Sequence, residues 1–275
     1  MPSDLPLQVG TLNLAAGRGV RGRPLPAVAL AAELAALAGS GTPGVDVLAV
    51  QEVDAGQPRS DLADQADVVA GALGAPHWRM AATLDGTPGP VRTTWTAPPP
   101  ELRRPGTAPG GPQYGIALVS RRPVRRWSVL GLGAGRARLP LRAPDPRTGR
   151  SRLWLIPDEP RVAIAAELDG VTVVATHLSF APVTAVRQLL VLRDWVAGLP
   201  GPVVVAGDLN LPGGLPARLL GATPLVRAAS YPAARPRVQL DHLLLRGAGA
   251  QGDDGRARAL GFGDHLLLTA RLRAG

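Results

Sequence analysis

The chain has no cysteine and no lysine, and aromatic residues fill only 3% of its 275 positions. Without cysteine there is no disulfide, no thiolate nucleophile and no zinc–thiolate centre. Without lysine all 30 basic residues are arginine, and against 21 acids they leave a formal net charge of +9. So few aromatic rings argue against a base-stacking platform for single-stranded nucleic acid. Long uncharged apolar runs are missing as well, and MPSDLPLQVG (1–10) lacks the features of a signal peptide. The expectation is a cytoplasmic protein with no transmembrane segment and no obligate protein partner.

What is present is a basic, alanine-, glycine- and proline-rich chain of one-domain length. Its charge attracts polyanions, nucleic acid and anionic headgroups among them. The clusters Arg121, Arg122, Arg125, Arg126 and Arg136, Arg138, Arg142 read first as solvated surface. A single domain over 1–275 is expected, with its core at about 5–272. The Pro/Gly-rich stretch at about 85–112 reads as a surface loop, with Trp95 packing on the loop's own base.

Alternating and continuous apolar runs predict strands at LQVGTLNL (7–14), VDVLAVQEVD (45–54), YGIALVS (114–120), RRWSVLGL (125–132), RLWLI (152–156), VQLDHLLLR (238–246) and HLLLTARL (265–272). RVAIAAELDG and VTVVATHLS (161–179) form a hairpin turned at Asp169-Gly170. Helices are expected over 25–39, over 60–73 with Ser60 as N-cap and a stripe of Leu62, Ala66, Val69 and Leu73, and over 183–198. Residues 247–263 are turn-rich. His77 beside Trp78 reads as structural, and His242, facing away from Asp241, as packed.

The strand PVVVAGDLN (202–210) ends in Asp208 and Asn210, two apart and so on one face. LQVGTLNL–helix–VDVLAVQEVD repeats the logic of VTVVATHLS–helix–PVVVAGDLN: each is a parallel strand–helix–strand unit with polar groups at the strand ends. Asn13 and Glu52 meet at one sheet edge, and His177, Asp208 and Asn210 at another. Two sheets packed face to face would merge those edges. Three of the four histidines sit in motifs that carry an acid or lead into one: ATHLS precedes the acid-bearing strand–helix–strand unit, QLDHLLL holds Asp241 and GDHLLL holds Asp264. Oxygen and imidazole groups without cysteine suit Mg²⁺ or Mn²⁺ better than zinc, and that combination serves phosphoryl chemistry.

In this order TLNL, LAVQEVD, YGIALVSR, EPRVAIAAELDGVTVVATHLS, VVVAGDLN, QLDHLLL and GDHLLL resemble the motifs of the endonuclease/exonuclease/phosphatase superfamily over nearly the whole chain. The resemblance implies a four-layer α/β/β/α sandwich of two packed mixed β-sheets flanked by helices. It implies a Mg²⁺-dependent phosphoesterase (Mn²⁺ as a substitute) cleaving a phosphodiester by in-line attack of water, with a nuclease slightly favoured and nucleic acid a candidate substrate. A phosphatase or phospholipase C-like hydrolase of phosphoinositides, sphingomyelin or small phosphate esters is the first alternative, and a catalytically silent binding module the second. Carried onto this chain, Glu52 is the main metal ligand, with Asn13 beside it on metal-bound water or substrate, and Asp264 near the metal or a second cation. Asp208 orients or deprotonates the attacking water, and Asn210 and His177 hold phosphate oxygens. His265 contacts the scissile phosphate, backed by Asp241, and Arg161 contacts substrate. Asp54 shares a side with Glu52 and is a supporting or turn residue. Two departures stand out: GGPQY carries no acid to pair with His177, and Gly263 stands where serine commonly precedes the Asp-His pair.

Overall fold

The computed structural model describes residues 6–19, 22–38, 44–89, 94–136, 138–144 and 150–275. Residues 90–93 of the proline-rich segment, Gly39 at the end of the first expected helix and the first five residues lie outside them.

In chain order the elements are β1 (Leu7–Asn13), α1 (Ala27–Ala35), β2 (Val47–Ala55), α2 (Gln65–Leu73), β3 (His77–Gly86), β4 (Trp95–Thr96), β5 (Gln113–Ser120) and β6 (Arg126–Gly133). Then come β7 (Arg138–Pro144), β8 (Ser151–Pro157), β9 (Arg161–Glu167), β10 (Thr172–His177), α3 (Pro182–Val196), β11 (Val203–Asp208), α4 (Leu215–Leu220), β12 (Thr223–Pro224), β13 (Asp241–Arg246), β14 (Ala250–Arg258) and β15 (Leu267–Ala274). One mixed sheet runs β14-β15-β1-β2-β5-β3-β4, the other β12-β13-β11-β10-β9-β6, and β7-β8 is a separate two-stranded ribbon.

The layers follow from alternation. In β2, Val47 and Ala49 face the second sheet, where they meet Val173, Ala175, Val204 and Ala206. Leu48 and Val50 face the other way, onto Leu30 and Leu34 of α1 and Val69 and Leu73 of α2. The second sheet repeats this, with Val174 and Val205 packed on Leu189 and Leu192 of α3 and Leu220 of α4. Strands covered on both faces must be apolar at every position, which is why they read as continuous runs. The expected α/β/β/α sandwich is the observed one.

β1 and β2 pair in parallel, as do β10 and β11 in the other sheet. Both parallel pairs present their carboxyl ends at the same rim, and β13 joins β11 there with Asp241 opposite Asp208. The β9–β10 hairpin turns as expected at Asp169-Gly170, with Gly170 at φ 86°. The proline-rich segment is tied down: Trp95 is buried against Leu84 and Tyr114, and Arg103 binds Asp64 bidentately at 2.5 and 2.8 Å.

Several local expectations need correction. The second helix starts at Gln65, not near Ser60. Pro58–Ser60 form a 3-10 turn, and Asp61 and Leu62 take left-handed φ values of 53° and 59°. Leu62 therefore leaves the helical stripe and is exposed, while Ala66, Val69 and Leu73 keep it. The turn-rich reading of 247–263 gives way to β14, an edge strand on β15. Its Asp and Gly residues sit at a bulge between Asp253 and Arg256, and Arg271 and Arg273 pair with Asp253 at 3.2 and 2.7 Å. Charge and a bulge are how exposed edges are blunted, and both resemble turn signals in sequence. β3 and β7 were not anticipated from the sequence.

Gly207, in the GDLN motif, lies where β11 and β10 pair, and a Cβ there would overlap the Thr176 carbonyl oxygen. Gly207→Ala should lower the unfolding free energy by about 2–4 kcal/mol. Urea denaturation checks this, and an unchanged midpoint would contradict the close approach.

Candidate active site

The rim where the two sheets meet gathers most of the residues singled out from the sequence. Asn13 closes β1, and its Nδ2 donates to Glu52 Oε1 and to Asp208 Oδ2, both at 3.1 Å. One amide thus joins the carboxylates of the two sheets. Its Oδ1 accepts from the Ala15 backbone N–H at 3.0 Å, which fixes the amide's orientation.

Glu52 reaches the rim through a backbone irregularity. Between Val50 and Val53 the pairing of β2 with β5 shifts, and Glu52 itself takes φ 55°. A left-handed glutamate inside a strand is disfavoured by about 1–3 kcal/mol. A bulge of this kind re-aims a side chain that regular alternation would turn elsewhere. Glu52 is the one position in β2 that is not fully buried.

Asp208 Oδ1 accepts from the Asn210 N–H at 3.0 Å, and Asn210, at φ 50°, gives its own Nδ2 to the Leu178 carbonyl at 2.9 Å. Burial drives the Asp208 pKa up to about 7, and the neighbouring Asp241 adds to the rise. His265 and the hydrogen bonds from Asn210 and Asn13 oppose it. His265 Nδ1 sits 2.8 Å from Asp241 Oδ2, and its Nε2 lies 3.8 Å from Asp208 Oδ2. Burial works against a charged imidazole here, but the hydrogen bond and charge of Asp241, with Asp208 and Asp264, carry its pKa to about 9. His265 is therefore a cation at neutral pH. Asp208, Asp241 and His265 each offer an atom within 4.8 Å of the others. Because Asp241 and His265 are bonded to each other through a proton, this trio holds a proton more readily than a metal. The carboxylate of Glu52 is the better match for a hard cation; the Asn13 oxygen, expected beside it, is turned to the Ala15 N–H, and its Nδ2 faces the carboxylates instead.

His177 Nε2 is 3.7 Å from Asp208 Oδ2. Among the described residues no acid backs this ring at Nδ1, in line with the lack of one in GGPQY; Nδ1 instead lies 3.1 Å from Arg161 Nη1. A guanidinium only donates, so Nδ1 accepts and Nε2 carries the proton. Burial, then Arg161 and His265, hold the His177 pKa well below its ordinary value. His177 is a neutral ring whose Nε2 has Asn210 Nδ2, another donor, at 3.3 Å and Asp208 further off.

Arg161, only 4% exposed, is turned inward onto His177, with Nη2 3.6 Å from Glu159 Oε2. Asp264 is exposed; its carbonyl accepts from Ala233 N–H, and its charge acts on His265 and Tyr231. Gly263 has φ 71°, a conformation serine takes only with strain, which accounts for that departure. Asp54 is no turn residue: buried in β2, it holds Arg59 at 2.7 and 2.8 Å. His242 packs as expected, with Nε2 3.0 Å from the Leu211 carbonyl.

Three nearby residues escaped the sequence reading. Tyr231 lies 4.8 Å, ring to ring, from His265. Tyr114 is buried, and burial first, then Glu52 and Glu159, raise its hydroxyl pKa. Glu159 is raised by burial, with Glu52 and Asp158 adding to it against Arg161 and Arg59. The adjacency of Glu159 to Arg161 in EPRVA was the one signal available; Tyr231 sits in a stretch with no periodicity.

The sandwich and this rim define a phosphoesterase of the metal-dependent kind. The model of the Endonuclease/Exonuclease/phosphatase family matches residues 10–265. The chain belongs to that family and is a metal-dependent hydrolase of phosphate ester bonds. Among solved structures it is similar to an endonuclease/exonuclease/phosphatase from Beutenbergia cavernae, at 20% identity and TM-score 0.63, over 98% of this chain and 72% of that one. It is also similar to a mannosyl-6-phosphatase from Bacteroides thetaiotaomicron, at 12% identity and TM-score 0.59, over 97% and 99%. A beta toxin from Staphylococcus aureus with bound magnesium ions matches at 14% identity and TM-score 0.51, over 97% and 99%. No curated protein sequence matches the chain.

The His265–Asp241 pair has a consequence for stability. A histidine whose folded pKa is raised to about 9 from about 6.5 unfolded stabilises the fold fully below the unfolded value, and that contribution is lost as pH rises through the folded one. Relative to His265→Gln, the wild type should lose on the order of 2–3 kcal/mol between about pH 6.5 and 9. Urea unfolding of both proteins across that range tests it, and a pH-independent difference would mean that His265 is not held as a cation.

Proposed function

We propose that this rim hydrolyses a phosphodiester with Mg²⁺ as its metal, by in-line attack of a water on phosphorus. The observation that carries the reading is the unbroken chain Glu52–Asn13–Asp208–His265, which links both sheets at 3.1, 3.1 and 3.8 Å.

In this reading Glu52 holds the metal, its carboxylate oriented by the Asn13 amide, with Asp264 on the same side. When bound, the ion neutralises phosphate oxygens and polarises the phosphorus. Asp208, with its pKa near 7, is matched to taking a proton from water at neutral pH. The bonds from Asn13 and Asn210 hold its two oxygens in a fixed orientation. His265, kept cationic by Asp241, stabilises the negative charge that grows on the phosphoryl oxygens. His177 donates from Nε2 to a phosphate oxygen, its tautomer locked by Arg161. Asn210 adds a further polar contact. Arg161 thus serves the substrate through His177 instead of meeting it directly.

Charge supports a diester. Glu52, Asp208, Asp241, Glu159 and Asp264 supply up to five negative charges, against four positive from His265, Arg161 and a divalent ion. A monoanionic diester fits that balance better than a dianionic monoester. The net charge of +9 makes nucleic acid the first substrate to try, with nuclease-type cleavage the form the reading takes. The same reading treats the chain as one domain.

Turnover of bis(4-nitrophenyl) phosphate with Mg²⁺ should fall at least about a thousandfold in both Glu52→Ala and Asp208→Ala, with little change in thermal unfolding. Calorimetry should show Mg²⁺ binding lost in Glu52→Ala but kept in Asp208→Ala. Retained turnover in the two variants would refute the assignment. Arg161→Met should cut turnover about tenfold to a hundredfold and raise the His177 pKa, read from its imidazole proton signals.

A further inference from the structure

The loop that carries His265 is tied to two segments distant in sequence. Gly263 N–H donates to the Arg18 carbonyl at 2.7 Å, and the Asp264 carbonyl accepts from Ala233 N–H, also at 2.7 Å. Arg18 follows β1, and its Nε donates to the carbonyl of Ala15, whose own N–H is bound by Asn13 Oδ1. Arg18 is thus anchored at the Asn13–Glu52 end of the rim. Ala233 belongs to a short hairpin, 230–238, in which Tyr231 N–H donates to the Val238 carbonyl at 3.0 Å and Arg237 N–H to the Tyr231 carbonyl at 2.9 Å. Ser230 Oγ accepts from Asp241 N–H at 3.1 Å, and the Ser230 carbonyl accepts from Leu266 N–H at 2.8 Å. With the Tyr231 ring against His265, the hairpin is strapped to both members of the His265–Asp241 pair.

Both segments carry arginine that no acid takes up. Elsewhere guanidinium groups are held by carboxylates: Arg59 by Asp54, Arg103 by Asp64, Arg271 by Asp253. Arg18, Arg235 and Arg237 are exposed, and among the described residues none of the three has an acid within ion-pair distance. The excess of arginine over acid accounts for unpaired cations, but not for their place on the two segments bound to the His265 loop. The rim itself is rich in carboxylates, which repel an approaching polyanion. Free cations at its margins offset that repulsion and draw the polyanion in.

We propose that Arg18 and the Arg235–Arg237 hairpin hold the phosphates that neighbour the scissile one in a polynucleotide backbone, Arg18 at the Glu52 end of the rim and the hairpin at the His265 end. The inference deepens the phosphodiesterase reading and rests on it for the position of the scissile phosphate. Guanidinium groups grip phosphate oxygens and carry no base information from there, so this surface recognises backbone, not sequence. A choline headgroup, itself a cation, is repelled by the same charges.

Binding of a short fluorescein-labelled DNA duplex, followed by anisotropy across a range of salt concentrations, tests this; the Asp208→Ala protein with Mg²⁺ keeps the duplex intact. Adding Arg235→Gln with Arg237→Gln should weaken binding at least about tenfold and flatten the slope of log affinity against log salt by about 2, and adding Arg18→Gln alone should flatten it by about 1. Arg235→Lys with Arg237→Lys should keep the slope. Arg121→Gln with Arg126→Gln removes the same charge at the opposite end of the sandwich, where β5 closes and β6 opens, and should change affinity by less than about threefold. A salt slope that the hairpin and Arg18 substitutions leave unchanged, or an equal loss in the distal pair, would overturn the inference. So would dependence on these arginines for binding phosphatidylserine vesicles but not DNA. If the wild type hydrolyses bis(4-nitrophenyl) phosphate while any of these results holds, the inference alone fails; the expected contrasts in a protein that hydrolyses no diester would instead overturn the functional reading and leave the arginine surface standing.

Discussion

The constraint on which the rest depends is the burial of carboxylates at the seam between two sheets. Asp208 and Asp241 face each other across β11 and β13, 2% and 0% exposed. Two acids so placed cannot both be charged without compensation. The protein answers with a proton and an amide. His265 keeps its proton beside Asp241, and Asn13 lends both amide hydrogens to Asp208 and Glu52. Glu52, at the outer, partly exposed end of the cluster, is the carboxylate that the proposed reading gives to the divalent ion.

This arrangement divides labour between two histidines that look equivalent in sequence. His265 has carboxylates about it and is a cation. His177 has a guanidinium behind it and is neutral, with its proton on Nε2. One ring supplies charge and the other a directed hydrogen bond, and Asp208 between them is left as the group whose protonation is poised near neutrality. Where an acid before YGIAL would pair with His177, Arg161 stands at its Nδ1 instead.

The backbone carries a share of the cost. Glu52 and Asn210 both hold left-handed φ values, and both stand at the rim to which the proposed reading assigns the chemistry. A regular strand would have turned Glu52 with its neighbours into the apolar layers. The bulge separates the needs of packing, which set Val50 and Val53, from the needs of the site.

Much of this was legible in the sequence, for a physical reason. Strands buried on both faces must be apolar throughout, so VLAV, VVVA and AIAA announce themselves, and the polar groups that end them stand out against that background. The parallel strand–helix–strand units then fix that Asn13 with Glu52, and His177 with Asp208 and Asn210, share an edge. Elements whose stability comes from edge position left no such trace: β14 hides in Gly, Asp and Arg, and β3 lacks a clean period. Residues at the site that act through space were equally silent. The partner of His177, the inward turn of Arg161 and the ring of Tyr231 against His265 depend on chains far apart in sequence meeting at one seam. Protonation states, too, belong to the tertiary structure, because burial and neighbouring charge set them, and composition specifies neither.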